Sequence, residues 1–172
     1  MRIAPKPGSS YQQPFELLAA CHERIERSLS LLARLCTHLA TAGPDAVARD
    51  ATRDVLRYFD VAAPLHHQDE ELHVFPALAG DPVLAPICAR LRAQHCEIEA
   101  QWRPLRALLQ TLDQAELPAL RRAAEAFARL HDEHLRSENE LIFPAARALL
   151  DDAQSRAMGV EMAARRGLKL TQ

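Results

Sequence analysis

The chain is poor in lysine, glycine and aromatic residues, and it has no long apolar run. Two lysines stand against nineteen arginines, five glycines are scattered over 172 residues, and aromatics make up 5%. The absence of Asn-Gly pairs and of alternating apolar stretches argues against hairpins and sheet. No run approaches the roughly 18 apolar residues of a membrane-spanning helix, so no membrane partner is expected. The start, MRIAPKPGSSYQQP, has no apolar stretch suited to a signal peptide and reads as a disordered lead over residues 1–12. The four cysteines, Cys21, Cys36, Cys88 and Cys96, show no C-x-x-C and no disulfide-scaffold spacing. Reduced thiols in the cytoplasm are the expectation. A net charge of −2 leaves no basic excess to attract nucleic acid or an acidic membrane. The arginine preference reads as genomic composition.

What remains is helix periodicity, with apolar residues spaced by three and four. One stripe reads Phe15, Leu18, His22, Ile25, Leu29, Leu32, Cys36, Leu39, and Gly43-Pro44 ends it. A weaker one reads Val55, Phe59, Ala62, His66, Glu70, His73, with Pro64 expected to kink it and Pro76 to stop it. A third runs from Leu84 through Cys88, Leu91, His95, Ile98 and Trp102 to Leu112, with Pro104 on its outer side. A fourth reads Leu117, Leu120, Ala124, Phe127, His131, His134, Glu138, Leu141, Ala145. A shorter segment over about 151–165 follows, before Arg165, Arg166 and Gly167. Short connections between long helices predict an all-α fold, an antiparallel up-down-up-down four-helix bundle over 13–166, with a short C-terminal helix and a tail at 167–172.

The stripes contain an anomaly. His22, His66, Glu70, His95, His134 and Glu138 occupy seam positions where Leu or Ile would be expected. Buried ionisable groups are costly unless paired or bound to metal. His66 with Glu70 and His134 with Glu138 are i,i+4 pairs on single helix faces. Counted along the bundle, all six fall within roughly 9 Å of one height. Imidazole with carboxylate suits Fe, Mn or Zn, and the donor set is large enough for two metals bridged by Glu70 and Glu138. His131 lies on the same seam one turn before His134, as a fifth imidazole or a partner to one.

Two units repeat His-x-x-x-Glu followed by Phe-Pro: HHQDEELHVFP at 66–76 and HLRSENELIFP at 134–144. With His22 and the helix-3 segment AQHCEIE, they resemble the hemerythrin-like, HHE cation-binding proteins over about residues 14–150. The resemblance implies a dinuclear non-haem iron centre that reacts with or senses O2, NO or peroxide. The alternative is a non-catalytic iron-binding or iron-responsive protein read by a partner, whose identity the sequence does not give. Oxygen-carrying members have a second His four residues after the helix-3 His, where this chain has Glu99. They also space the helix-4 His and carboxylate by five residues, not four. An extra carboxylate near the centre would favour Fe(III) and disfavour reversible O2 carriage.

His67 and Glu71 form an overlapping pair, rotated by one residue, but the distance to Phe-Pro matches the other unit only for His66 and Glu70, so they are not expected to be ligands. Glu26 and Glu99 each follow a candidate His by four, as outward charges or as extra ligands. His38 and His73 are expected to be ordinary, and Cys21 and Cys96 to turn away from their neighbouring ligands.

Overall fold

A computed structural model describes residues 11–168. Among them the secondary structure is helical, as eight α-segments and three π-turns. α1 spans Pro14–Ala42. Residues 46–77 form a second rod: α2 (Ala46–Arg57), a first π-turn (Tyr58–Ala62), α3 (Ala63–Asp69), a second π-turn (Glu70–Val74) and α4 (Phe75–Ala77). α5, Leu84–Gln110, is the third rod. The fourth joins α6 (Leu117–Ser137), a third π-turn (Glu138–Ile142) and α7 (Phe143–Leu149), and α8 (Asp152–Arg165) follows. α1 packs on α2 and α6, and α5 on α6 and α2.

The helix boundaries have local causes. Pro14 stands at the start of α1, and Gly43 ends it at φ 72°, a conformation that suits glycine. The Asp45 side chain caps α2 through the Ala48 N–H, so this rod begins nine residues before the apolar stripe that marks it in sequence. Asp151 and Gln154 form a reciprocal capping box on α8. At the other end of α8, Leu168 N–H reaches the Ala163 carbonyl and Gly167 N–H the Ala164 carbonyl, with Gly167 at φ 68°.

Pro64, Pro76 and Pro144 each follow a π-turn. Rod 2 ends at Ala77, just past Pro76, as expected, whereas rod 4 runs on past Pro144 to Leu149. A proline has no N–H to give the carbonyl four residues back, and its ring crowds that carbonyl. The wider turn relieves both problems, with Phe75 N–H bonding to Glu70 O and Phe143 N–H to Glu138 O, five residues back. Each Phe-Pro thus marks a widened turn that opens at a seam carboxylate.

The core is split in two. One apolar cluster includes Ile25, Leu32, Ala63, Ile98, Phe127 and Leu135. The other includes Leu18, Val74, Leu91, Ile142, Met158 and Met162. On each rod the residues flanking the seam His or Glu belong to different clusters, so a polar layer lies between two dry ones. α8 closes the second cluster with Met158 and Met162. The Tyr11 carbonyl lies where a Cβ on Gly159 would be, so this approach requires glycine. Residues 1–10 of the expected lead and 169–172 of the expected tail lie outside the described residues. Among the described residues no helix is long and apolar enough to cross a membrane.

Candidate metal centre

His22, His66, Glu70, His95, His134 and Glu138 are all buried and come from all four rods. Their donor atoms form two overlapping groups, each lying within 4.8 Å: His22, His66, Glu70 and Glu138, and Glu70, His95, His134 and Glu138. The two carboxylates belong to both. A third group joins His67 to His95 and His134. The rings of His67 and His95 stack at 4.0 Å and 10°.

His67 therefore belongs with the donor atoms, contrary to the sequence expectation. Glu70 explains why. At about 3.6 residues per turn, His66 and His67 lie about 40° and 60° to either side of it, so one carboxylate serves both faces. Matching the two Phe-Pro units favours the i−4 neighbour and hides the i−3 one. Glu71 is turned away from the donor cluster but holds it from behind, with Oε1 accepting from His95 Nδ1 at 2.7 Å.

The outer nitrogens of the other imidazoles are held in the same way. His22 Nδ1 donates to Asn139 Oδ1 at 2.8 Å and His134 Nδ1 to Gln94 Oε1 at 3.1 Å. With the proton on Nδ1, each Nε2 presents a bare lone pair to the centre. His95 Nε2 and His134 Nε2 face each other at 3.1 Å, close enough to share a proton or to ligate one cation. Phe143 stacks on His22 at 4.8 Å and Phe75 on His95 at 5.7 Å, which fixes both ring planes.

The carboxylates lack hydrogen bonds of their own. Both oxygens of Glu70 and of Glu138 are buried without a hydrogen-bond partner among the described residues, as are His22 Nε2, both His66 nitrogens and His67 Nε2. Imidazole nitrogens approach the carboxylates closely, His134 at 3.1 Å from Glu138, His66 at 3.2 Å from Glu70 and His22 at 3.3 Å from Glu138, but none is aligned as a hydrogen bond. So many orphaned acceptors at one level fit a metal site and do not fit a polar core satisfied by itself.

The electrostatics agree. Burial opposes charge on His22, yet Glu138 and Glu70 beside it outweigh burial and raise its pKa to about 10. Burial also opposes charge on His95, whose pKa is raised to about 10 by Glu138, Glu70 and Glu71. Burial and neighbouring imidazoles push His66 and His67 well below the usual imidazole range. Burial alone would raise Glu138, but His134, His22 and His95 hold it well below the usual carboxylate range. The pocket stabilises anionic carboxylates by drawing positive charge into itself, which bound cations do without borrowed protons.

The remaining candidates fall outside the cluster. His131 is fully buried, but its donor atoms are in none of the three groups. Its Nδ1 donates to the Phe127 carbonyl at 2.9 Å, and its Nε2 is buried without a partner among the described residues. Burial pushes its pKa down to about 4. Glu99 is exposed and bonds to Arg103 at 2.7 Å. The sequence argument for a more anionic, ferric-favouring centre placed Glu99 near the metals and counted one imidazole too few, so it does not hold. Glu26 is exposed. His73 Nε2 pairs with Glu161 at 2.6 Å and His38 Nε2 with Asp45 at 2.9 Å, both away from the centre as expected. Gln94, Asn139 and Glu71 are the partners that sequence reading missed. Asn139 and Glu71 carry a signal, since each directly follows a seam Glu.

A family model, the hemerythrin HHE cation-binding domain, matches residues 13–146. An uncharacterized protein of Haemophilus influenzae is 31% identical over 169 residues, covering 97% of this chain and 98% of its own length. The buried imidazole–carboxylate layer and these two matches agree, and the chain belongs to the hemerythrin HHE cation-binding family.

Proposed function

We propose that the chain holds two iron ions between its rods and that this non-haem di-iron centre reacts with or senses O2, NO or peroxide. The observation that carries the reading is the sharing of Glu70 and Glu138 between both donor groups, with all four of their oxygens lacking hydrogen bonds. Shared carboxylates between two imidazole sets suit a dinuclear site better than a single ion. In this reading His22 and His66 would hold one ion and His67, His95 and His134 the other, with Glu70 and Glu138 available to both. His131 stands one turn further along as a neutral buried imidazole and not a ligand.

Iron in this mixed donor set would supply one-electron chemistry toward a diatomic or peroxide ligand. The chain's own residues prepare for it. Asn139, Glu71 and Gln94 accept from Nδ1 of His22, His95 and His134, which turns the Nε2 atom of each ring toward the centre. The two apolar clusters flank the layer, and burial between them strengthens the charge interactions inside. The proposal includes an antiparallel up-down-up-down order of the rods, suggested by the short connections at 43–45, 78–83 and 111–116. It also includes a cytoplasmic location, with which four free cysteines are consistent.

Metal analysis after anaerobic iron loading tests the reading. The expected content is about two irons per chain, with absorbance that responds to O2, NO or peroxide. A reproducible content of one, or zinc alone in a four-coordinate site, overturns it.

A further inference from the structure

Of the residues in the three donor groups, His67 alone is partly exposed, and the other six are buried. It is also the least restrained. Asn139, Glu71 and Gln94 accept from Nδ1 of His22, His95 and His134, and His66 is fully buried with Glu70 at 3.2 Å. Among the described residues no hydrogen bond holds His67, and its Nε2 is buried without a partner. Its donor group contains no carboxylate. Its ring rests on the face of His95, 4.0 Å away.

Outside His67 lies a groove of about 450 Å³. It runs beside α3, from Asp60 to Glu71 on the second rod and from His95 to Arg106 on α5. Its floor, including Phe59 and Phe127, is apolar core with almost no accessible surface. Its solvent-facing sides are Pro64, Gln68, Cys96, Glu99 and Arg103. Of the seven donor residues, His67 and His95 line it. A second groove, about 810 Å³ between α1 and α6, includes Asn139 but none of the donor residues.

An imidazole changes rotamer by turning about χ1, with no backbone movement. A buried ring that turns this way meets packed neighbours, whereas His67 has the groove to receive it. A water molecule occupies roughly 30 Å³, so the groove has room for the displaced ring and for a hydrated ion beside it.

We propose that this groove is the route by which cations reach the centre and that His67 is its gate, turning out into the groove to admit an ion and back to close over it. The identity of the ion rests on the di-iron reading; the opening itself does not.

Diethyl pyrocarbonate marks imidazoles whose bare nitrogen meets solvent. In the metal-free chain, His67 is expected to be carbethoxylated at least about tenfold faster than His22, His66, His95 or His134, and iron loading should protect it. Fragment masses separate His67 from His66. The second arm blocks the route. Cys96 is an exposed free cysteine in the groove wall. A benzylthio group placed on it as a mixed disulfide should slow anaerobic Fe(II) uptake at least about tenfold, leave the final iron content unchanged and be reversed by a phosphine reductant. The same group on the thiol of Glu26→Cys, in the second groove of a Cys96→Ser chain, should leave the rate as it is. Carbethoxylation of His22 or His134 as fast as His67, an uptake rate indifferent to the Cys96 label, or a label that lowers the final content instead of the rate overturns the proposal. A chain that loads two irons and gives any of these results loses the gate and keeps the metal reading. His67 marked first in a chain that takes up one iron or none keeps the opening and removes the di-iron reading.

Discussion

Residues 66–76 and 134–144 are two versions of one device. In both, a His lies four residues before a seam Glu, the Glu opens a π-turn, and Phe-Pro closes it. Both Phe rings stack on an imidazole of another rod, Phe75 on His95 and Phe143 on His22. In both, the residue after the Glu accepts from that same imidazole, Glu71 from His95 and Asn139 from His22. The two units differ at seven positions, and three of these bear on the centre and its support. His67 joins the donor cluster where its counterpart Leu135 joins the apolar core. Glu71 is an anionic acceptor where Asn139 is neutral. Asp69, fully buried, takes Arg165 at 2.5 Å and Arg166 at 2.7 Å, where Ser137 bonds back to its own helix at the Glu133 carbonyl. The rod-2 unit therefore gives its side of the centre an extra imidazole and a more electron-rich His95, and it also anchors α8.

Changes to what the two units share should have the largest effect. Glu70→Ala and Glu138→Ala should each drop iron content from about two to near zero, because each carboxylate serves both donor groups. Retention of one tightly held iron in either variant would show that the carboxylates are not shared. Next comes the extra imidazole. His67→Leu, which copies Leu135, should weaken the His95–His134 side by about 10- to 100-fold and spare the His22–His66 side, giving two-phase iron release to a chelator. If release stays single-phase and slow, His67 is only a packing residue.

Asp69→Ser copies the other unit at the α8 anchor. It leaves two arginines beside a buried gap and should cost about 3 kcal/mol in denaturant unfolding. A loss under about 0.5 kcal/mol would mean that α8 is held by its apolar face alone. Glu71→Asn equalises the two outer acceptors. It should reduce metal affinity on the His95 side by about tenfold and leave the fold intact. The smallest effect belongs to Glu99→His. With Glu99 paired to Arg103 in solvent, the substitution should leave iron content and ligand kinetics unchanged, as stopped-flow absorbance would record. A longer-lived oxygenated form in this variant would restore the sequence argument that placed Glu99 near the metals.

The legible parts of the site share one physical property. His22, His66, Glu70, His95, His134 and Glu138 each interrupt an apolar stripe at helical spacing, and burial of a polar group on a core face is visible in one dimension. His67 and Glu71 interrupt nothing, since they lie beside the stripe on a rod whose stripe is weak. Their roles depend on α5 passing close enough for His95 to stack on one and donate to the other. Pro144 breaks α-helical hydrogen bonding, but the packed chain takes up the extra residue in a π-turn and continues to Leu149, whereas rod 2 ends just past Pro76. Glu99 shows the converse, because its four-residue spacing from His95 allowed an inward position that its ion pair with Arg103 does not take.

The sequence by itself determined the helical class, the rods and their approximate ends, and a buried layer of imidazole and carboxylate, because periodicity and the cost of burying charge act locally along a helix. Only the tertiary structure decided which imidazoles meet at 3.1 Å, that His67 belongs with them, and which outer residues accept from their Nδ1 atoms. Those outcomes depend on how the rods are rotated against one another and on where the π-turns shift their faces. Rotation is set by packing the two apolar clusters on either side of the layer, which involves all four rods at once.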